Sequence, residues 1–286
     1  MKHSLALIAA AIVVLLSAGG VRSAETPPQG NGIPTTVVVR VVGSHAMALG
    51  DTVGGAAVTI KDVETGAVLA SGVQTGSTGD LKSIMQTPRE HIEQIYSAKG
   101  TASFTATLSL TRPTLVEVSG EGPLNFSQAK RRASKTILLY PGRHVTGDGI
   151  VLVVYGLIVR IASPTLDRPL GIGDGVLVRA TVNMMCDCVV EPFGNWDSRK
   201  MELYGEVLSD GKVIGRMDLF HQGPRGLFQG DYTIPKWLKG KERLTLRVVA
   251  SDKESINVGY EEITYPLVPW EQSRDATGRE IPPIGK

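Results

Sequence analysis

The sequence predicts an all-β protein of two tandem antiparallel β-sandwich domains behind a cleaved leader. Three observations predict it. Glycine (33) and proline (16) are frequent and break the chain into short runs. Those runs are rich in β-branched residues and alternate apolar with polar at a period of two. The length left after the leader fits two domains of ordinary size.

The leader is Met1 to Ser23. Lys2 and His3 form a polar start, Leu5 to Leu16 an apolar core, and Val21-Arg22-Ser23 a small-residue end. The apolar core is too short to span a bilayer, so this reads as a secretory signal peptide. Cleavage is expected after Ser23, with Ala24 as the alternative, and delivery to the periplasm or outside the cell. No Cys follows the leader and no other run is long and apolar enough to cross a bilayer, so neither a lipid nor a transmembrane anchor is expected. The chain has 30 Lys and Arg against 28 Asp and Glu. Losing residues 1–23 removes Lys2 and Arg22 and no acid, which leaves a formally neutral mature chain. Net charge then steers it neither to nucleic acid nor to anionic lipid.

Residues 24–34 are a Pro/Gly linker, and 35–162 the first sandwich. Its expected strands are Thr35 to Val42, Ala56 to Lys61, Ala67 to Ser71, Thr101 to Thr111, Thr114 to Ser119, Lys135 to Tyr140 and Ile150 to Ile161. The second and third flank Asp62-Val63-Glu64-Thr65-Gly66, a hairpin turn. Thr101 to Thr111 alternates most cleanly, with Ala102, Phe104, Ala106, Leu108 and Leu110 facing in. Thr87-Pro88-Arg89-Glu90 has the chemistry to open a short helix over Arg89 to Ala98. Pro123 to Ala133 has room for a helical turn. Its Lys130-Arg131-Arg132, with Lys135, reads as a solvated basic face and not a nucleic-acid site. Pro141 to Gly149 is a loop in which Asp148 is a turn residue and His144 a surface residue. Asn125-Phe126-Ser127 fits a glycosylation acceptor, relevant only to a eukaryotic secretory route.

Residues 163–174 are the expected linker and 175–268 the second sandwich, with strands at Lys200 to Ser209, Lys212 to Phe220, Gly226 to Ile234, Glu242 to Ala250 and near Ile263 to Leu267. Gly171-Ile172-Gly173-Asp174-Gly175 precedes a strand and not a helix, so it is not a phosphate loop. Residues 269–286 are a polar, Pro-rich tail, expected to be disordered or to serve in docking.

The remaining strand carries the chain's two cysteines. From Gly175 one parity is Val176, Val178, Ala180, Val182, Met184, Cys186, Cys188, all apolar or sulfur-bearing. If it stays extended, three sulfurs lie on one face at the end of the sandwich. Soft sulfur donors favour Cu(I), so Met184, Cys186 and Cys188 form a candidate copper site, with His221 or Met185 as further ligands. Two other readings stand beside it. The sulfurs belong to the core, or Cys186 and Cys188 form a disulfide, for which the strand must bend. A thiol–disulfide partner using the same pair is the third. Trp196 reads as an aromatic lid over this sandwich end, and Met201 and Met217 as core.

Two stretches resemble known families. Gly55-Ala56-Ala57-Val58-Thr59-Ile60, followed by Glu64-Thr65-Gly66-Ala67-Val68-Leu69-Ala70, resembles the carboxypeptidase-regulatory-like (transthyretin-like) module. That resemblance implies a sandwich fold and a non-catalytic adaptor. Gly230-Asp231-Tyr232-Thr233-Ile234-Pro235, then Leu244 to Asp252, resembles the end of bacterial Ig-like domains, which implies fold and nothing about ligand. No Gly-x-Ser-x-Gly, His-Glu-x-x-His, phosphate-loop or Cys-x-x-Cys motif occurs in the chain. The expected function is therefore an exported, non-catalytic binding or accessory protein whose partner is another exported or envelope protein. Copper binding and thiol–disulfide exchange are the alternatives.

Overall fold

Period-two alternation builds four sheets, stacked in pairs. The structure is a computed structural model that describes residues 31–88 and 93–273. The expected leader, residues 1–23, and most of the expected 269–286 tail lie outside the described residues.

In the N-terminal sandwich, β1 (Ile33–Gly43) buries Val37, Val39 and Val41 and pairs on both sides. β4 (Phe104–Leu110) runs antiparallel to it and β7 (Val145–Val154) parallel, giving the order β4-β1-β7. The facing sheet contains β2 (Ala56–Asp62), β3 (Val68–Gln74), β5 (Thr114–Gly122) and β6 (Arg131–Leu139), all antiparallel, in the order β3-β2-β5-β6. Val58, Ile60, Val116 and Val118 point from this sheet into the core between the two. The hairpin at Asp62 forms as expected. Its carboxylate accepts the backbone N–H groups of Glu64 (2.8 Å) and Thr65 (2.9 Å), the local bonding that makes Asp a turn residue.

In the C-terminal sandwich one sheet has the order β13-β14-β10-β8. It contains β8 (Leu157–Ser163), β10 (Gly175–Met184), β13 (Phe220–His221) and β14 (Leu227–Thr233). The other has the order β12-β11-β15-β16-β9. Its strands are β9 (Leu170–Gly171), β11 (Met201–Ser209), β12 (Lys212–Asp218), β15 (Arg243–Asp252) and β16 (Val258–Val268). Asp210 (φ 50°) and Gly211 (φ 74°) connect β11 to β12. Two consecutive left-handed residues are what a tight hairpin turn requires. Tyr265 is fully buried and its hydroxyl donates to the Pro164 carbonyl (2.8 Å); burial pushes this phenol well above its ordinary range.

Four expectations are corrected. Ile150 to Ile161 is not one strand, because β7 ends at Val154 and β8 starts at Leu157. β8 pairs with β10, Leu157 opposite Met184 and Ile161 opposite Ala180. The chain therefore passes between the sandwiches at Tyr155-Gly156, ahead of the 163–174 segment. A single Gly within a strand-like run gives little sign of such a crossing. The antiparallel rule also has two exceptions, β1 with β7 and β16 with β9. The helix expected over Arg89 to Ala98 lies partly outside the described residues, and Glu93 to Ala98 is irregular. The helical turn is instead Lys82–Gln86. Finally, β6 begins at Arg131 and not Lys135, so Arg131 and Arg132 are strand residues. The turn expected just before it is present at Ser127–Ala129.

Candidate functional site

The alternation of β10 holds through Met184 and then stops. Val178, Ala180, Val182 and Met184 fill the core of the C-terminal sandwich, as their parity predicts. After Met184 the chain reverses. The Asp187 N–H bonds to the Met184 carbonyl (2.9 Å), the Met184 N–H to the Cys188 carbonyl (2.8 Å), and Val189 returns opposite Asn183. Asp187 sits at the turn with φ 64°, and its carboxylate accepts the Asn183 side-chain amide at 2.6 Å.

The row of three sulfurs on one extended face is thus not formed. The bend brings the Cα atoms of Cys186 and Cys188 to 5.2 Å, and the pair is disulfide-bonded. A disulfide offers no thiolate to Cu(I), and Met184 is enclosed in the core. His221 does reach this end of the sheet. Its neighbour Gln222 closes a turn with Leu227, Leu227 pairs with Thr181, and the Gly226 carbonyl accepts the Val182 N–H at 3.1 Å. Its ring packs edge-on to Phe228 with centroids 5.5 Å apart. Among the described residues no cluster of three or more His, Cys, Asp or Glu side chains is placed to hold a metal.

What the bend does achieve is a contact between sandwiches. Met184 and Cys186 belong to the C-terminal core, but Met185 belongs to the N-terminal one, where it is 0% exposed. It lies between two glycines. A Cβ added at Gly43, the last residue of β1, would stand 3.0 Å from the Met185 Cβ; one at Gly156 would stand 3.2 Å from its sulfur. The apolar cluster of the C-terminal sandwich continues in the other direction, into Val42, Ala46, Met47 and Ala48. The Trp196 indole N–H donates to the His45 carbonyl (2.8 Å), and the Gln86 amide to Asn195 (3.2 Å). Trp196 is therefore a lid, as expected, but one that closes onto the other sandwich.

Sequence reasoning missed the polar member of this junction. Asn257 follows the β15–β16 turn and is 0% exposed. Its Oδ1 accepts the Gly156 N–H (2.9 Å) and its Nδ2 donates to the Ser44 carbonyl (3.2 Å). An Asn near a turn looks unexceptional in a sequence, and only the fold brings Gly156 and Ser44 to it. The loop beyond the cysteines is braced by charge. Asp197 accepts the Arg199 guanidinium and the backbone N–H groups of Arg199 and Phe193, which hold its carboxyl far below the ordinary range. His144 and Asp148 are also structural. The His144 Nδ1 accepts the Thr36 N–H (3.0 Å), and Asp148 accepts those of Ile95 (2.9 Å) and Tyr96 (2.7 Å).

A group of exposed apolar side chains lies at the opposite end of the N-terminal sandwich. Leu138 is 63% exposed and Tyr140 60%, with Leu115 directly across from Leu138 and also exposed. A shallow groove of about 420 Å³ runs here, lined by Leu138, Leu139, Tyr140, Arg143 and Val145. It lies between the end of β6 and the start of β7.

Fold and sites together define a β-sandwich protein of two fused units. No family model and no curated protein matches the chain. Among solved structures it is similar to a DUF3823 family protein from Bacteroides ovatus, at 13% identity and TM-score 0.30, over 82% of this chain and 98% of that one. It is also similar to fibronectin(III)-like modules of Clostridium thermocellum CbhA, at 11% identity and TM-score 0.25, over 83% and 94% of the two chains. A structure of titin Ig tandem domains matches at 8% identity and TM-score 0.23, over 82% and 96%. Likeness at this level carries no functional argument. The sandwich architecture rests on the sheets themselves.

Proposed function

We propose that this chain is an exported, non-catalytic accessory protein that binds another exported or envelope protein and presents its binding surfaces on one rigid two-sandwich body. In this reading the N-terminal unit is an adaptor of the carboxypeptidase-regulatory-like kind and the C-terminal unit a bacterial Ig-like domain. The observation that carries it is the junction. Each sandwich buries a side chain of the other, so the two hold a fixed relative orientation and keep their outer surfaces available. Recognition surfaces work best on a scaffold that does not have to be ordered on binding. No observation favours the copper reading, which needs a free thiolate, and beyond the disulfide itself none favours thiol exchange.

The test is photo-crosslinking in the native host, with a photoreactive residue placed in turn at Tyr140, Trp237 and Tyr260, all exposed, together with N-terminal sequencing of the mature protein. The reading expects a chain lacking residues 1–23 in the exported fraction, and a discrete adduct from at least one position. A full-length cytoplasmic chain, or no adduct from any of the three, would overturn it.

A further inference from the structure

We infer that β6 is a docking edge for an extended, acidic segment of the partner protein, which adds to the sheet as a fifth strand and seats an apolar side chain in the Leu138–Tyr140 groove. This rests on the proposed binding role and names the site and chemistry of the partner.

The first observation is the edge itself. β6 is the last strand of β3-β2-β5-β6 and pairs only with β5, from Arg131 opposite Gly122 to Leu139 opposite Thr114. The next strand, β7, hydrogen-bonds to β1 in the opposing sheet and not to β6. Alternate residues along β6 therefore turn N–H and C=O groups outward. An open edge of this length is either defended or used.

The second observation is charge. Between Gly122 and Gly147 the chain has Lys130, Arg131, Arg132, Lys135 and Arg143 and no acid. Some of these cations are occupied. Lys130 is 4.0 Å from Glu121, Arg131 donates to the Gln128 and Lys130 carbonyls, and Arg132 donates to the Ser119 hydroxyl. Lys135 and Arg143 are exposed and have no ion-pair partner among the described residues. They stand on either side of Leu138 and Tyr140 in sequence.

These features select the occupant. Lys135 lies opposite Val118, so it is on the parity that faces the core, yet it is exposed at the rim of the sheet. An inward-facing charge on an edge strand repels indiscriminate strand addition. Pairing two copies through β6 would set Lys and Arg against Lys and Arg, which disfavours a homodimer by this route. An incoming strand with carboxylates facing Lys135 and Arg143 meets complementary charge instead. Its backbone would complete the ladder, and an apolar side chain between the carboxylates would cover the groove. This is strand addition with alternate side chains supplying specificity.

The experiment uses the mature protein and three fluorescein-labelled ten-residue peptides. One alternates Val or Leu with Glu, the second replaces each Glu by Lys, and the third is the acidic peptide with a central Pro. Fluorescence anisotropy reports binding, and hydrogen exchange reports which amides become protected. The inference expects saturable binding of the acidic peptide alone, with new protection confined to β6. It expects at least a tenfold loss of affinity in Lys135→Glu/Arg143→Glu. Leu138→Ala serves as an uncharged second variant and also weakens binding. Equal binding of acidic and basic peptides, no binding of the acidic one, or protection away from β6 would each overturn it. Crosslinks from Trp237 or Tyr260 alongside a failed peptide assay would sink the β6 site and leave the binding role standing.

Discussion

At one end of the N-terminal sandwich Val42, Ala46 and Met47 are buried under the C-terminal sandwich, and Met185 reaches in from that side. At the other end Ile33, Leu115, Leu138 and Tyr140 face solvent. Both ends carry apolar side chains of similar size, but only one has something covering them. The junction also satisfies its backbone. Asn257 bonds to Gly156 and Ser44, and Trp196 to His45. The tip leaves the outer edge of β6 unpaired. Covered apolar groups contribute to folding, whereas uncovered ones keep that free energy for a partner. The junction is therefore read as stability, and the tip is the proposed recognition surface.

That contrast can be broken most strongly at Met185. Met185→Ala should cost about 2–5 kcal/mol, the usual range for truncating a fully enclosed side chain, measured by urea unfolding. A loss under about 1 kcal/mol would mean that Met185 does not join the cores. Asn257→Ala comes next. It strands the Gly156 N–H and the Ser44 carbonyl without partners, at about 1–3 kcal/mol in the same assay. Cys186→Ala/Cys188→Ala opens a very small ring, and loop entropy alone puts its effect at roughly 1–2 kcal/mol. The same variant should leave Cu(I) competition titrations of the air-oxidised protein unchanged. At the tip, Leu138→Ser should move stability by no more than about 0.5 kcal/mol, as expected of an exposed site. A larger loss there would show that the groove is part of the core and not a recognition surface.

The same contrast separates what the sequence could disclose from what it could not. Parity placed Val178 to Met184 in the core because a strand half-buried in a sandwich writes its burial into every second residue. The strand ended at Met184, short of Cys188, for an instructive reason. Met and Cys are apolar enough to continue the pattern, and Asp187 does not announce a left-handed turn as Gly would. The bend was foreseeable only as the condition for a disulfide, and it is the condition that is met. Asn257, Gly156 and Ser44 meet through tertiary structure across more than one strand, and no local pattern records that. The start of β6 was hidden for another reason. Consecutive Arg131 and Arg132 look like a solvated basic face, yet an edge strand tolerates charge on both faces. That tolerance conceals such a strand in a sequence and is also what lets this one carry Arg131, Arg132 and Lys135.

Met185, Asn257 and Trp196 join the two sandwiches, which should therefore unfold as one cooperative body. Differential scanning calorimetry of residues 24–286, with and without Met185→Ala, tests it most directly. The account predicts a single transition in the natural protein, with calorimetric and van't Hoff enthalpies in agreement, and two separated transitions in the variant. Two independent transitions in the natural protein, unmoved by Met185→Ala, would contradict it.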